Sequence, residues 1–327
     1  MNYRQFDHTT TEVSEIGLGT WQLGGDDWGD LDEGRALDIL DAASEGGVTF
    51  FDTADVYGLG RSEELIGKFL KNTSRKIFVA TKLGRFPEPG WPANFSLEAV
   101  REHTEASLRR LGVYTLDLTQ LHCIPTYILR DGEIFESLRV LKREGKIKNF
   151  GVSVETNEEA FICLEQEGLA SLQIIFNIFR QKPLEFFDLA KSKGVALIVR
   201  LPLASGLLSG KFTKETTFSE TDHRHYNRDG TAFNVGETFA GLPFEKGVEL
   251  SEGLRDLVPE GMTMAQMALR WILDFDAVTA IIPGASNPQQ ARANSTVSDL
   301  PRLSTGLHKQ LKDFYDTEVA AHIRGQY

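Results

Sequence analysis

The chain has 327 residues, 41% hydrophobic and 25% charged, as expected of a soluble globular protein with room for one large α/β domain. Its 35 Lys plus Arg face 47 Asp plus Glu, a net charge of −12 that repels phosphate backbones and argues against a nucleic-acid partner. Two cysteines outside any CxxC pair, Cys123 and Cys163, argue against a disulfide scaffold or structural zinc; with neither an apolar leader nor a membrane-length apolar run, a cytoplasmic protein is predicted.

Residues 3–13 alternate loosely around His8-Thr9-Thr10-Thr11, which predicts a short N-terminal hairpin. A first buried strand is expected over residues 13–19. Its Gly17-Leu18-Gly19 lacks the third glycine of a dinucleotide fingerprint, because Gln22 stands there, so a Rossmann turn is rejected. An amphipathic helix over residues 32–46 stops at Gly46-Gly47. A strand at 48–52, a helix at 62–70 and a strand at 77–81 ending at Lys82 follow. Pro87, Pro89, Gly90 and Pro92 mark residues 84–95 as loop, and Ser96 caps a helix reaching Leu111.

Further strands are expected at 116–121, 147–153, 172–176, 195–199 and 278–282. Helices are expected at 131–144, 157–167, 183–192, 245–257, 264–274, 287–297 and 304–319. This alternation of eight strands with helices, unbroken by any linker, predicts parallel pairing and right-handed crossovers. The expected fold class is α/β: a single (β/α)8 TIM barrel domain over residues 1–327, with an N-terminal hairpin, a long loop after strand 7 (residues 203–245) and a C-terminal helix. An open doubly wound sheet would need fewer strands and a Gly-rich first turn.

In such a barrel the carboxyl ends of the strands share one face. That face would receive Asp52 and Tyr57 from the second unit, Lys82 from the third and His122 from the fourth, each just after an apolar run. The set suits proton donation to a carbonyl. A phenol, with a pKa of about 10, is a reluctant acid; a lysine kept charged by a carboxylate would lower that pKa. His122 could orient the carbonyl oxygen. No hydride source is present, so a cofactor is required. Gly284 and Ala285, ahead of Asn287-Pro288-Gln289-Gln290 at a helix start, offer close approach and free N–H groups to an anion. Asp55 is expected to be structural. Asp222-His223-Arg224-His225 is too weak a pattern for a metal site, and none is expected.

The segments Gly17-Leu18-Gly19-Thr20-Trp21, Phe51-Asp52-Thr53-Ala54-Asp55-Val56-Tyr57-Gly58, Ala80-Thr81-Lys82, Gln120-Leu121-His122, Gly151-Val152-Ser153, Gly206-Leu207-Leu208-Ser209-Gly210-Lys211 and Ile282-Pro283-Gly284 together resemble the aldo-keto reductases, in their bacterial type, over nearly the whole chain. The resemblance implies hydride transfer from a nicotinamide cofactor to an aldehyde or ketone, a small-molecule carbonyl substrate. It implies Tyr57 as proton donor, tuned by Lys82 and Asp52, with His122 positioning the substrate. It places Ser153 and Gln173 on the nicotinamide carboxamide and Arg200 against the ring. Gly19, Thr20, Trp21, Leu201, Pro202 and Leu203 would line the cofactor, with Ser205, Gly206, Lys211, Pro283, Gly284 and Ala285 at the pyrophosphate. Gln289, Gln290 and Asn294 fall at the adenosine end, and Trp28, Phe86 and Trp91 at the substrate mouth.

This chain departs from the family pattern in having Val154 where many members have Asn, and Arg200 where the stacking residue is often Tyr. No Lys or Arg in residues 284–290 grips a 2′-phosphate, although Arg224 or Arg228 could supply the charge. NADP(H) is preferred by family habit, with NAD(H) as the alternative. A cofactor-binding regulatory subunit and a Schiff-base lyase using Lys82 are the rival functions.

Overall fold

The computed structural model describes residues 1–6, 11–25 and 31–327; His8 to Thr10 of the expected hairpin turn and Trp28 lie outside them. Strands β1 (Tyr3–Gln5) and β2 (Glu12–Ser14) form an antiparallel pair. Eight parallel strands follow: β3 (Leu18–Gly19), β4 (Phe50–Asp52), β5 (Phe78–Leu83), β6 (Leu116–His122), β7 (Ile147–Ser153), β8 (Leu169–Ile175), β9 (Ala196–Arg200) and β10 (Val278–Ile281). They pair in chain order from β3 to β10, and bridges Ile16–Ile281 and Gly19–Gly284 join the two edges. The fold is a (β/α)8 barrel with an N-terminal hairpin and a C-terminal helix.

The single strand expected over residues 13–19 is in fact two. Residues 12–14 belong to the hairpin, and the chain enters the barrel only at Ile16. Glu15 between them is buried and turned to Arg4 and Arg270, so an ion pair interrupts the strand. The helix expected at 131–144 is observed as Glu133–Arg143, and a short helix that the sequence reading missed, Thr126–Asp131, precedes it, the two separated by Gly132 with φ 86. The last helix is α only over Thr305–Phe314 and continues as a π turn, Tyr315–Val319.

Side chains alternate along each strand. Phe50, Phe78, Ala80, Leu118, Ala196, Ile198 and Ala280 form the barrel interior, and Phe6 and Val13 of the hairpin plug its lower end. Phe51, Val79, Leu121, Val152 and Leu197 face outward into the larger core beneath the helices. Fully burying a side chain such as Phe6 contributes about 1.5–3 kcal/mol.

The helices end where local chemistry ends them. Asp32 accepts from Arg35 N at one start, and Ser96 accepts from Ala99 N at another. Gly112 closes Leu97–Leu111 with φ 67, and Thr156 and Glu159 make a reciprocal capping box for Asn157–Leu164. Among the described residues no helix is long and apolar enough to cross a membrane.

Candidate active site

Period-2 alternation decides which polar residues reach the barrel's interior. With Phe50 inward, Asp52 is inward; with Phe78 and Ala80 inward, so is Lys82; with Leu118 inward, so are Gln120 and His122. Register then stacks them, as Asp52 pairs with Ala80, Lys82 with Gln120, and His122 with Ser153. Tyr57 comes from the turn after β4.

The four residues meet. Lys82 is 1% exposed, and its ammonium donates to Asp52 Oδ1 at 2.5 Å, to the Thr53 carbonyl at 2.8 Å and to Tyr57 Oη at 3.3 Å. The other Asp52 oxygen accepts from Gln173 at 2.7 Å and Gln120 at 3.3 Å. His122 stands edge-on to Tyr57, with ring centroids 5.8 Å apart. Trp21 stacks at 6.0 Å from Tyr57, and Trp21 in turn meets His223 and Phe233 of the long loop at 4.7 and 6.1 Å.

Burial works against the charge on Lys82, yet Asp52 and Tyr57 together hold its pKa above the ordinary lysine value. Burial raises the Tyr57 pKa, opposed by the Lys82 charge, so the net direction is upward. The expected lowering by the ammonium is present, but desolvation outweighs it. Burial and then the cations Arg85, Lys82 and Arg200 push His122 well below the usual imidazole range, leaving it neutral.

A cavity of about 1340 Å³ opens above these groups. Its wall includes Asp52, Tyr57, His122 and Gln173, then Gly19, Thr20, Trp21, Arg200, Leu201, Pro202, Leu203, Ser205, Gly206 and Lys211, and finally Pro283, Gly284, Gln290 and Asn294. Phe86 and Trp91 also line it. Ser153, Ala285 and Gln289, expected at the cofactor, are not on this wall. Ser153 is buried behind it, accepting from Cys123 of the wall, and Ala285 is buried. The Gln173 amide is spent on Asp52, and Gln290 turns back to Ser286.

The residues present fit a dinucleotide. The cavity runs from Tyr57 and His122 to the start of helix Pro288–Ser295, whose cap is Asn287. Along it Leu201 and Ser205 hold φ 51 and 54 without being glycine. Such strain, about 1–3 kcal/mol each, persists where a fold shapes a ligand clamp. The buried His122 Nδ1 and Arg200 Nε also have no hydrogen-bond partner within the protein.

Three residues on the wall escaped the sequence reading. Arg85, three positions after Lys82, pairs with Glu155 at 3.2 Å and with Glu237 at 3.6 Å; Glu237 also pairs with Arg200 at 3.6 Å. Their position close behind β5 and β7 marks Arg85 and Glu155 as rim residues, but nothing local marks Glu237. Among the described residues, Cys123, Glu155 and Glu237 are grouped closely enough for a metal, with ligand atoms within 4.8 Å. The two guanidiniums already neutralise that group. A second cleft of about 720 Å³ lies at the other end of the barrel, where Arg4 holds Glu15 and the carbonyls of Leu273, Phe275 and Val278, and Arg270 pairs with Asp274.

Residues 15–316 match the model of the aldo/keto reductase family. The aldo-keto reductase YhdN of Bacillus subtilis is 31% identical over 91% of this chain and 89% of its own length. An NADH-specific methylglyoxal reductase of Escherichia coli is 30% identical, covering 88% of this chain and 90% of its own. Among solved structures, the holo form of aldo-keto reductase AKR11C1 from Bacillus halodurans superposes with a TM-score of 0.79 at 28% identity, over 100% of this chain and 99% of that one. With the barrel, the buried Asp52–Lys82–Tyr57 chain and this full-length match in hand, the protein belongs to the aldo/keto reductase family and is an NAD(P)H-dependent oxidoreductase.

Proposed function

We propose that this enzyme reduces an aldehyde or ketone to the alcohol, with Tyr57 giving the proton to the carbonyl oxygen. The observation that carries the reading is the continuous Asp52–Lys82–Tyr57 hydrogen-bond chain at the cavity floor beside His122. The cofactor, when bound, supplies the hydride. Everything else is done by the chain's own residues. His122, held neutral, can donate one hydrogen bond to the carbonyl oxygen and align it with the phenol. Tyr57 carries its proton at neutral pH, and the Lys82 ammonium stabilises the phenolate left when the proton departs. Asp52 keeps that ammonium charged. A charged lysine is a poor Schiff-base nucleophile, which disfavours the lyase alternative.

Arg200 would lie against the nicotinamide ring, since a guanidinium plane stacks well on an aromatic face. NADPH is the favoured form, with Lys211 and Arg224 supporting that choice because both line the cavity. Arg224 is oriented by Asp222 and packs on Phe218, whereas Arg228 packs on Phe244 and donates to the Arg224 carbonyl. The reducing cytoplasm suits the two free, buried cysteines.

The test follows NADPH and NADH oxidation over a panel of short and aromatic aldehydes, with Tyr57→Phe alongside. The variant is expected to lose about 10²- to 10⁴-fold in kcat/KM, while tryptophan fluorescence still reports tight cofactor binding. Undiminished reduction by Tyr57→Phe would remove the phenol from the mechanism. Tight cofactor binding by the native protein without turnover would point to the regulatory role.

A further inference from the structure

Beyond the π turn Tyr315–Val319 the chain makes contacts that proton transfer does not require. Arg324 lies there, off the cavity wall, and reaches the long loop between β9 and the helix Phe244–Gly253. Its Nη2 donates to the Arg228 carbonyl at 2.9 Å and to the Leu242 carbonyl at 3.2 Å. Its Nη1 pairs with Asp229 at 2.6 Å, and its Nε donates to the Gly241 carbonyl at 3.0 Å. One guanidinium thus ties residues 228–229 to residues 241–242 and closes the neck of the segment between them.

The neck is built for close approach. Gly241 holds φ 86, and a Cβ there would stand 2.8 Å from the Arg324 carbonyl oxygen. The tail has a separate anchor, because Arg180 donates to the Gln326 carbonyl at 3.2 Å and lies 4.2 Å from the Tyr327 ring centroid. The Arg324 side chain, by contrast, spends its donors on the loop. A planar guanidinium suits that task, since it presents its N–H groups in a fixed fork, whereas an ammonium is a point charge.

The segment enclosed by the neck reaches the cavity. Ala232, Phe233, Asn234 and Glu237 line it, and Phe233 meets Trp21, which stacks on Tyr57. The same segment grips Ser205, whose hydroxyl accepts from Phe239 N at 3.2 Å and donates to the Glu237 carbonyl at 3.3 Å. Ser205 belongs to the strained turn on the cavity wall, with φ 54. Arg324 therefore acts on that wall through the loop, at the Ser205 turn and at Trp21. A wall already ordered when a ligand arrives spares the ligand the entropy of ordering it.

We propose that Arg324 is a positioning residue for the nicotinamide cofactor: by bridging the two feet of the loop it presets the Ser205 turn and sets how tightly the cofactor is held. The proposal rests on the reductase reading given above and gives Arg324 no part in proton transfer.

The experiment measures the Kd of NADPH and NADH by tryptophan fluorescence, kcat at saturating cofactor, and hydrogen exchange along the chain. It uses the native enzyme, Arg324→Ala, Arg324→Lys and Asp229→Asn. Arg324→Lys keeps the charge beside Asp229 but not the bridge. Both Arg324 variants should raise the Kd of the preferred cofactor about 10-fold, the effect of one lost hydrogen bond to a charged group. Exchange should quicken over residues 229–241 and 203–206 alone, and kcat at saturating cofactor should not fall. Asp229→Asn should stay within about 2-fold of the native Kd, because an exposed ion pair contributes little. Gly112→Ala, at a helix end off the cavity wall, controls for general destabilisation and should keep the native Kd. An unchanged Kd in both Arg324 variants would overturn the positioning role while leaving the reductase reading intact. So would an equal rise in Gly112→Ala, or exchange that quickens throughout the barrel, since either marks a merely structural effect. Asp229→Asn reproducing the whole effect would also overturn it, because the ion pair alone would then suffice. A native protein that binds neither cofactor would overturn both readings together.

Discussion

Lys82 reaches the Tyr57 hydroxyl at 3.3 Å while lying under its ring, with the ammonium 4.9 Å from the ring centroid. One cation therefore addresses both the phenol oxygen and the π face of the same side chain. The arrangement depends on Lys82 staying charged although it is almost wholly buried, and Asp52 at 2.5 Å is the group that permits this.

Asp52→Asn should therefore be felt well beyond catalysis. The amide leaves Lys82 without a counter-ion, and whichever way it turns, its NH2 faces donors, either Lys82 or Gln120 and Gln173. Breaking a buried pair from one side costs about 3–5 kcal/mol. Urea unfolding should show a loss of that order, and adding Lys82→Met should restore most of it by removing the stranded charge. A loss below about 1 kcal/mol for the single variant would mean that Lys82 does not depend on Asp52.

Gly58→Ala tests how the turn aims Tyr57. Gly58 has φ 59, and an added Cβ would stand 2.2 Å from the Gly24 carbonyl oxygen, a backbone atom with little freedom to yield. The expected cost is about 1–3 kcal/mol, accompanied by a fall in kcat as the phenol leaves Lys82. Gly112→Ala is the comparator, with φ 67 and nothing within 4 Å of its Cβ. It should show only the left-handed penalty of about 1–2 kcal/mol and keep its turnover. Equal loss of kcat in both variants would refute a specific role for the Gly24–Gly58 contact.

Asp55 makes stability depend on pH. It is fully buried, neither carboxylate oxygen has a hydrogen-bond partner, and burial with the nearby Glu63 raises its pKa from 3.8 to about 8. Between those two values the folded protein holds a proton that the unfolded chain has released. The contribution of this group is thus fully present below about pH 4 and is lost as pH rises towards 8. Asp55→Asn should flatten that part of the curve, so that thermal midpoints at pH 5 and pH 8 draw closer than in the native protein. An unchanged difference between the two pH values would show that Asp55 does not titrate in this range.

Much of the barrel was legible along the chain because strand signals are local. The run 147–153 was expected and observed with the same bounds, and Ser96 and Gly112 bounded their helix as read. The errors fell where tertiary contacts outweighed pattern. The buried Glu15 divides the first strand through its ion pair with Arg4, a partner eleven residues away on the hairpin. The short helix Thr126–Asp131 ahead of Gly132 was not expected at all.

The site divides in the same way. Asp52, Lys82 and His122 could be placed from sequence because period-2 alternation in parallel strands fixes which side chains point inward, and apolar runs show where each strand ends. By itself, then, the sequence determined the barrel, the strands that carry the chemistry and the face on which it gathers. Only the tertiary structure decided what those side chains touch: Gln173 on Asp52 and Ser153 behind the wall. The same holds for the Arg85–Glu155–Glu237 cluster, drawn from separate loops. Contacts between loop side chains depend on where barrel closure brings distant segments, and no local periodicity encodes that distance.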